Sequence, residues 1–292
     1  MIDRIGFACV THALGLSTNH TLRLANISPD RVRRTANRNL DDLEAILRWM
    51  DGNGLRLFRI GSSLVPFASH ESLTWDWEPS VAKRLGRIGR MYGPKGFRFS
   101  LHPGQYNVLN SINPDVVRRT RDELEYSCRV LDLMELDSSH KVILHGGSKA
   151  RGSDAALTRL VQSLESLPES IRSRLALEND ERNFNLQQIN TVCAQAGVSP
   201  VFDIHHHRIN PCPDIASELI RADGLWDCRP KVHISSPRDE SRPAAHSDFI
   251  RKEDLDELVG LLPFDADLMV EAKAKEQAAL QVAQRLFPGE QQ

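Results

Sequence analysis

"KVILHG" (141–146) is the stretch whose reading decides the fold. Val142, Ile143 and Leu144 make a short β-like run, and the run stops on His145, where a core pattern would otherwise continue. The form repeats along the chain. "RIGFACV" (4–10), "LRLFRI" (55–60), "FRFSLH" (97–102), "RLALEN" (174–179), "PVFDIH" (200–205), "PKVHIS" (230–235) and "DLMVEA" (267–272) have similar length and character. Amphipathic helical stretches lie between them. In "SPDRVRRTANRNLDDLEAILRWMDGNG" (28–54), Leu40, Leu43, Ile46, Leu47 and Met50 recur at helical spacing, after a Ser28–Pro29 start and before a Gly52 stop. "NPDVVRRTRDELEYSCRVLDLME" (113–135) opens the same way, and "NLQQINTVCAQAGV" (185–198) ends at Gly197. Eight strand–helix units predict a parallel sheet, and eight is the number that closes a barrel. A doubly wound open sheet is the competing architecture, but no G-x-G-x-x-G follows the first run. The expected fold class is therefore α/β: a single (β/α)8 TIM barrel over residues 1–292, with its site at the C-terminal ends of the strands.

Composition sets outer limits. Hydrophobic residues are 40% and charged residues 26%, enough to bury a core and keep a soluble surface. With 37 basic and 39 acidic residues, the net charge of −2 neither points to nucleic acid nor argues against it. Bound divalent ions would offset inward carboxylates and leave the arginines to set the outer field. No apolar run approaches the roughly 20 residues a membrane span needs. The opening "MIDRIGFACV" lacks the order of a signal peptide, so a cytoplasmic location is expected. The five scattered cysteines suit reduced thiols rather than disulfides or a cysteine-ligated zinc site.

The polar residues at the run ends carry the chemistry. The third run ends in His102, the fourth in His145, the fifth in Glu178, the sixth in Asp203, the seventh in His233 and the eighth in Glu271. A single residue of this kind is as readily a satisfied core polar group; six at equivalent places are harder to dismiss, and in a closed barrel they would converge on one cluster of three imidazoles and three carboxylates. Imidazoles with carboxylates suit zinc, manganese or iron better than calcium. Carboxylates so close would repel unless cations lay between them, and Glu178 could bridge two ions through its two oxygens. Two ions roughly 3.5–4 Å apart can activate a water and stabilise the leaving oxygen of a phosphodiester. Lys231 shares strand parity with His233, and Lys273 with Glu271. An ammonium beside metal ions must neutralise, meet an anionic substrate or be converted to an anion, unless it simply pairs with a carboxylate. In "DIHHHRINP" (203–211), register would favour His205 and His207, whereas a strand–loop junction would bring His206 to Asp203. His12 and His20 receive no role, and His140 precedes its strand and so lies at the wrong end of a barrel.

Several longer stretches carry a resemblance. "HPGQYNVLN" (102–110), "LALENDER" (175–182), "DIHHHRINP", "KVHISSP" (231–237), "AAHSDFI" (244–250) and "DLMVEAKAKEQAAL" (267–280) resemble the UV damage endonuclease family. "THALGLSTNHTLRLAN" (11–26) and "FRIGSSLVPFASH" (58–70) fit as well, so the likeness spans nearly the whole chain in order. The family is a relative of the endonuclease IV type of barrel. The resemblance implies nicking of duplex DNA immediately 5′ of UV photoproducts, and of other lesions such as abasic sites, leaving a 3′-hydroxyl. It implies two to three divalent ions, manganese first, with zinc, magnesium or cobalt as alternatives. One ion would take His102, His145 and Glu178; a second Glu178, Asp203, His233 and Glu271; a third His206 and His246, which Asp248 could join. Catalytic roles would fall to Glu178, to Lys231, which matches a lysine that can be carboxylated, and to the loop residue His70. Gln105 and Tyr106 match the pair that probes the lesion, a planar amide and an aromatic ring suited to a gap in the base stack. Phe7, expected with them among the lesion contacts, stands where many members have tyrosine, which leaves a ring that can stack but has no hydroxyl. Arg23, Lys149 and Arg238 are the loop cations expected on phosphate, with Arg31, Arg33, Arg34, Arg38, Arg151 and Arg242 as further basic residues on that side. The expected partner is damaged double-stranded DNA, engaged by a monomer that associates with the nucleoid and not with membrane.

Two other function classes share parts of this pattern. Sugar isomerases and epimerases of the xylose isomerase-like barrels also hold two divalent ions at strand ends. A module that binds damaged DNA without cutting would share the basic loops, but not a need for six ligands. The "HPGQY" loop and the arginine-bearing loops favour the nuclease.

Overall fold

The computed structural model describes residues 1–289. The eight apolar runs form strands β1 (Ile2–Ala8), β2 (Leu57–Ile60), β3 (Arg98–Leu101), β4 (Lys141–His145), β5 (Leu175–Glu178), β6 (Ser199–Asp203), β7 (Lys231–Ile234) and β8 (Ala266–Val270). All are parallel, and they close into a barrel in the order β1-β8-β7-β6-β5-β4-β3-β2, with β1 paired to both β8 and β2. The TIM barrel expected from the spacing is the observed fold. Around it lie α1 (Pro29–Gly52), α2 (Glu78–Tyr92), α3 (Pro114–Leu133), α4 (Ser153–Glu165), α5 (Glu169–Arg172), α6 (Leu186–Ala196), α7 (Ile204–Ile209), α8 (Ile215–Asp223), α9 (Lys252–Leu261) and α10 (Glu276–Leu286).

Local signals start and stop these helices. Ser28 Oγ accepts from the Arg31 amide at 3.4 Å, with Pro29 in the first turn. Asn113 Oδ1 caps α3 by accepting from the Asp115 amide at 2.9 Å. Asn185 and Gln188 form a reciprocal capping box on α6, and Gly197 ends that helix in the left-handed region, φ 67°. The expected stripe on α1, Leu40, Leu43, Ile46, Leu47 and Met50, is buried against the barrel.

Alternation divides each strand between two surroundings. Outward residues such as Phe7, Phe58, Phe99 and Leu177 enter the large apolar layer beneath the helices. Inward residues build the lumen. Ile143, Ala176 and Val201, each two residues before a ligand-type side chain, form a separate apolar cluster with Trp226 packed against it. That indole donates to the Pro200 carbonyl at 2.7 Å. On the β4–β6 side the polar layer at the C-terminal ends therefore rests on an apolar patch. Phe7 is fully buried and packs edge-on against Trp49 of α1 and Phe58, centroids 6.4 and 5.5 Å away. It faces the helices, so it cannot stack on a DNA base, and the expected lesion contact is corrected. A Cβ at Gly6 would lie 1.4 Å from the Leu57 carbonyl oxygen, so β1 and β2 approach closely only because that residue is glycine.

The run at 200–205 departs from expectation at its end. The strand stops at Asp203, and Ile204 already begins α7. Asp203 is its N-cap, and its Oδ1 accepts from the His206 amide at 2.9 Å. Alternation therefore fails for the histidine triplet, because those residues turn as a helix.

Candidate metal centre

Six side chains meet at the C-terminal mouth of the barrel. His145, Glu178 and Asp203 are the last residues of their strands, His233 is the penultimate residue of β7, and His102 and Glu271 follow directly after β3 and β8. Each continues the inward parity of its strand. Glu178 is central: Oε2 lies 3.0 Å from His102 Nε2, and Oε1 lies 2.9 Å from His233 Nδ1 and 3.5 Å from His206 Nδ1. His145 stands beside His102 and His206, ring centroids 5.1 and 5.6 Å away. His102–His145–Glu178, Glu178–His233–Glu271 and Glu178–Asp203–His206 each bring their ligand atoms within 4.8 Å of one another. Glu178 belongs to all three groups, as a bridging carboxylate would.

Five atoms here test whether cations fit. Among the described residues, His145 Nδ1, Glu178 Oε1, Asp203 Oδ2, His233 Nδ1 and Glu271 Oε1 are buried and make no well-aligned hydrogen bond, although His233 Nδ1 lies 2.9 and 3.2 Å from the Glu178 and Glu271 oxygens. Each such atom costs about 1–3 kcal/mol if nothing binds it. Their chemistry, imidazole nitrogen with carboxylate oxygen, suits manganese, zinc or iron. His102 makes the same point: Nδ1 faces the Pro103 carbonyl at 3.1 Å while Nε2 faces Glu178. Burial lowers the His102 pKa, with Arg59 and His145 adding to the effect, so an imidazolium there is disfavoured. Metal ions fit this donor set.

The electrostatics are dominated by the carboxylates. Burial alone would raise Glu178, but His233, His145 and the hydrogen bond from His102 outweigh it and hold it well below the usual range. Glu271 is likewise held low: burial opposes this, and Arg59 and His233 prevail. His206 moves the other way. Burial lowers it, yet Asp203, Glu178 and Glu271 raise it to about 9.

Other expected residues stand elsewhere. His246 falls in none of the three groups of three that the described residues form. His206 Nδ1 bonds the Asn179 carbonyl at 2.9 Å, which keeps it on the Glu178 side. His246 ends a short hairpin, Pro237–Asp239 with Arg242–His246, and packs edge-on against His205, centroids 5.4 Å apart. Asp248 is exposed, two residues further on. His70 joins none of the three groups: its Nδ1 accepts from the Ser72 amide at 3.1 Å and its ring stands edge-on to Phe67. Lys231 is fully buried in the lumen below His233, and its Nζ finds no hydrogen-bond partner among the described residues. Burial, then Arg98 and Arg59, push its pKa well below the ordinary value, so the amine is favoured over the ammonium. At that depth it cannot touch a substrate, so of the alternatives for this lysine the contact with an anionic substrate falls away. Lys273 is exposed, because β8 ends at Val270 and parity lapses beyond it. Gln105 and Tyr106 stand exposed on the loop after β3, with Tyr106 at 83% the most exposed aromatic. Arg23, Lys149 and Arg238 are exposed on loops after β1, β4 and β7.

Three residues with no expected role help build the centre. Arg59, inward on β2, reaches Glu271 Oε1 at 2.6 Å and His233 Nε2 at 3.0 Å. Asn179 exchanges hydrogen bonds with the backbone of Asp203, Nδ2 to the carbonyl at 3.0 Å and Oδ1 from the amide at 2.9 Å. Glu181 Oε2 lies 3.8 Å from His206 Nε2. A charge inside the apolar run "LRLFRI" was the available signal for Arg59. Nothing local marks Asn179, whose role depends on the neighbouring strand.

The family model described as UV-endonuclease UvdE matches residues 3–290. The chain belongs to the UV-endonuclease UvdE family. A Clostridium perfringens (strain 13 / Type A) protein named UV DNA damage endonuclease is 32% identical over 287 residues, covering 95% of this chain and 69% of that one. Among solved structures, the crystal structure of SacUVDE superposes with a TM-score of 0.93 at 31% identity, covering 98% of each chain. D-psicose 3-epimerase from Clostridium cellulolyticum H10 has a TM-score of 0.58 at 12% identity over 85% of this chain and 92% of that one. That last likeness concerns the barrel alone. No helix among the described residues is long and apolar enough to cross a membrane.

Proposed function

We propose that this protein is a metal-dependent repair endonuclease that nicks duplex DNA immediately 5′ of UV photoproducts, leaving a 3′-hydroxyl and a 5′-phosphate. The observation that carries the reading is the set of five orphaned, buried ligand atoms from five strands, gathered around one shared glutamate. Membership of the UvdE family and the names of its relatives support the substrate class. Two to three divalent ions, manganese first, would be held by His102, His145, Glu178, Asp203, His206, His233 and Glu271, with His246 joining His206 at a third ion. Such ions would supply Lewis acidity to the phosphodiester and its attacking water.

The chain's own residues supply the rest. Glu178 links the three ligand groups, and Asn179 fixes Asp203 and His206 through the Asp203 backbone and its own carbonyl. The apolar patch of Ile143, Ala176 and Val201 backs the cluster on the β4–β6 side. Gln105 and Tyr106 project where a planar amide and a ring could enter a weakened base stack. Arg23, Lys149 and Arg238 offer phosphate contacts, and a single chain carries every part the reaction needs. Abasic sites, which also lower the cost of unstacking, are a second lesion class. Lys231, held as an amine, is in the form that can react with carbon dioxide, and intact mass would detect the product. The deciding experiment is incubation with manganese and a duplex carrying one UV photoproduct, with the products mapped at nucleotide resolution. A nick directly 5′ of the lesion is expected. Binding without cleavage, or equal cutting of undamaged duplex, would sink the reading.

A further inference from the structure

Among the described residues, Arg59 is the cation that reaches into the ligand cluster from the barrel wall. Its route is built from small neighbours. Ala8 on β1 and Ser100 on β3 are its register partners, and with Gly6 they leave the lumen open for a long side chain to cross to β7 and β8. There Nη2 lies 3.0 Å from His233 Nε2 and 2.6 Å from Glu271 Oε1, the latter off the hydrogen-bond axis. The guanidinium is buried, and its Nε has no acceptor.

This placement conflicts with a metal ion at the same ligands. A guanidinium only donates, so His233 Nε2 must be the bare nitrogen and the ring proton must sit on Nδ1. Nδ1 is also the atom that faces Glu178 Oε1 at 2.9 Å and Glu271 Oε1 at 3.2 Å, and so the one that would ligate. Coordination through Nδ1 requires its proton to leave and the ring to carry one on Nε2 instead. That new N–H would point at the N–H of Arg59, donor against donor. The ring gains and loses one proton, so its charge is unchanged, but the Arg59 hydrogen bond cannot survive.

We propose that Arg59 is a resident counter-ion of this centre, a positioning residue that holds Glu271 and His233 together and competes with the metal for them. The inference rests on reading the cluster as a metal centre. By reciprocity, whatever metal binding does to the hold of Arg59, Arg59 does to metal affinity.

The test is calorimetric titration of chelator-treated full-length protein with manganese alone, for wild type, Arg59→Met and Arg59→Lys, with thermal melts of each before metal is added. For Arg59→Met, the tightest manganese site is expected to strengthen about tenfold while the metal-free melt falls, opposite signs that a merely structural role would not produce. Arg59→Lys keeps the charge but spans the two partners less well, so its affinity should rise by a smaller factor. Unchanged or weaker manganese binding in Arg59→Met overturns the proposal. If Arg59→Met does not fold without metal, Arg59→Lys decides: tighter binding than wild type supports the competition, and equal or weaker binding overturns it. A wild type that takes up no manganese overturns the metal-centre reading itself, and is told apart by needing no variant.

Discussion

At the scale of single residues, the centre depends on Glu178 more than on any other group. It touches or groups with all the other ligands, and no neighbour could replace both its oxygens. Glu178→Ala should therefore abolish cleavage and lower bound metal by more than one equivalent, measured by elemental analysis of purified protein. Full metal content in that variant would refute the bridging role. Asn179→Ala tests positioning instead. It removes both side-chain bonds to the Asp203 backbone and strands a buried amide and carbonyl, a loss of roughly 2–4 kcal/mol in a denaturant melt. His206→Ala should reduce metal content, whereas His207→Ala should not, because His207 packs against Phe202 outside the three groups.

At the scale of elements, a loop-to-helix contact gives a pH dependence. Glu123 on α3 accepts from Ser69 Oγ at 2.5 Å, in the loop that carries His70. Burial, only partly offset by that hydrogen bond, raises its pKa to about 7 from 4.5. A raised folded-state value means the contribution is fully present below the unfolded value and is lost as pH rises through about 7. Wild type should lose roughly 1–3 kcal/mol between about pH 4.5 and pH 7.5 from this group, and Glu123→Gln should flatten that part of the profile. An unchanged slope in the variant would remove Glu123 as the source. The elements were largely legible in the sequence, since eight apolar runs at regular spacing imply a barrel and its polar rim. What was not legible has physical causes. Asp203 caps a helix that begins at Ile204, so side chains beyond it follow a helical path that strand alternation cannot foresee. Phe7 continues an apolar run, and only the register of β1 shows that its ring lies on the helix side. Arg59 needed the closed barrel, because its partners lie on β7 and β8.

At the scale of the whole molecule, the net charge of −2 is misleading, because several acidic groups face the lumen while Arg23, Lys149 and Arg238 face solvent around its mouth. DNA affinity should fall steeply with added salt, and Arg238→Ala should reduce the slope of log affinity against log salt by about one. The double variant Gln105→Ala, Tyr106→Ala should lose discrimination between damaged and intact duplex in a competition assay while retaining its metal. Loss of metal would mean that the loop supports the centre. The pairing of β1 with β8 also bears on how the protein is made. Strands emerge from the ribosome in order, yet the ring shuts only when the last strand meets the first, and Glu271 arrives with it. A chain that has not yet made β8 lacks Glu271, so of the three ligand groups it is Glu178–His233–Glu271 that must wait for the ring to shut, while the two groups built from β3 to β6 and α7 can form before it.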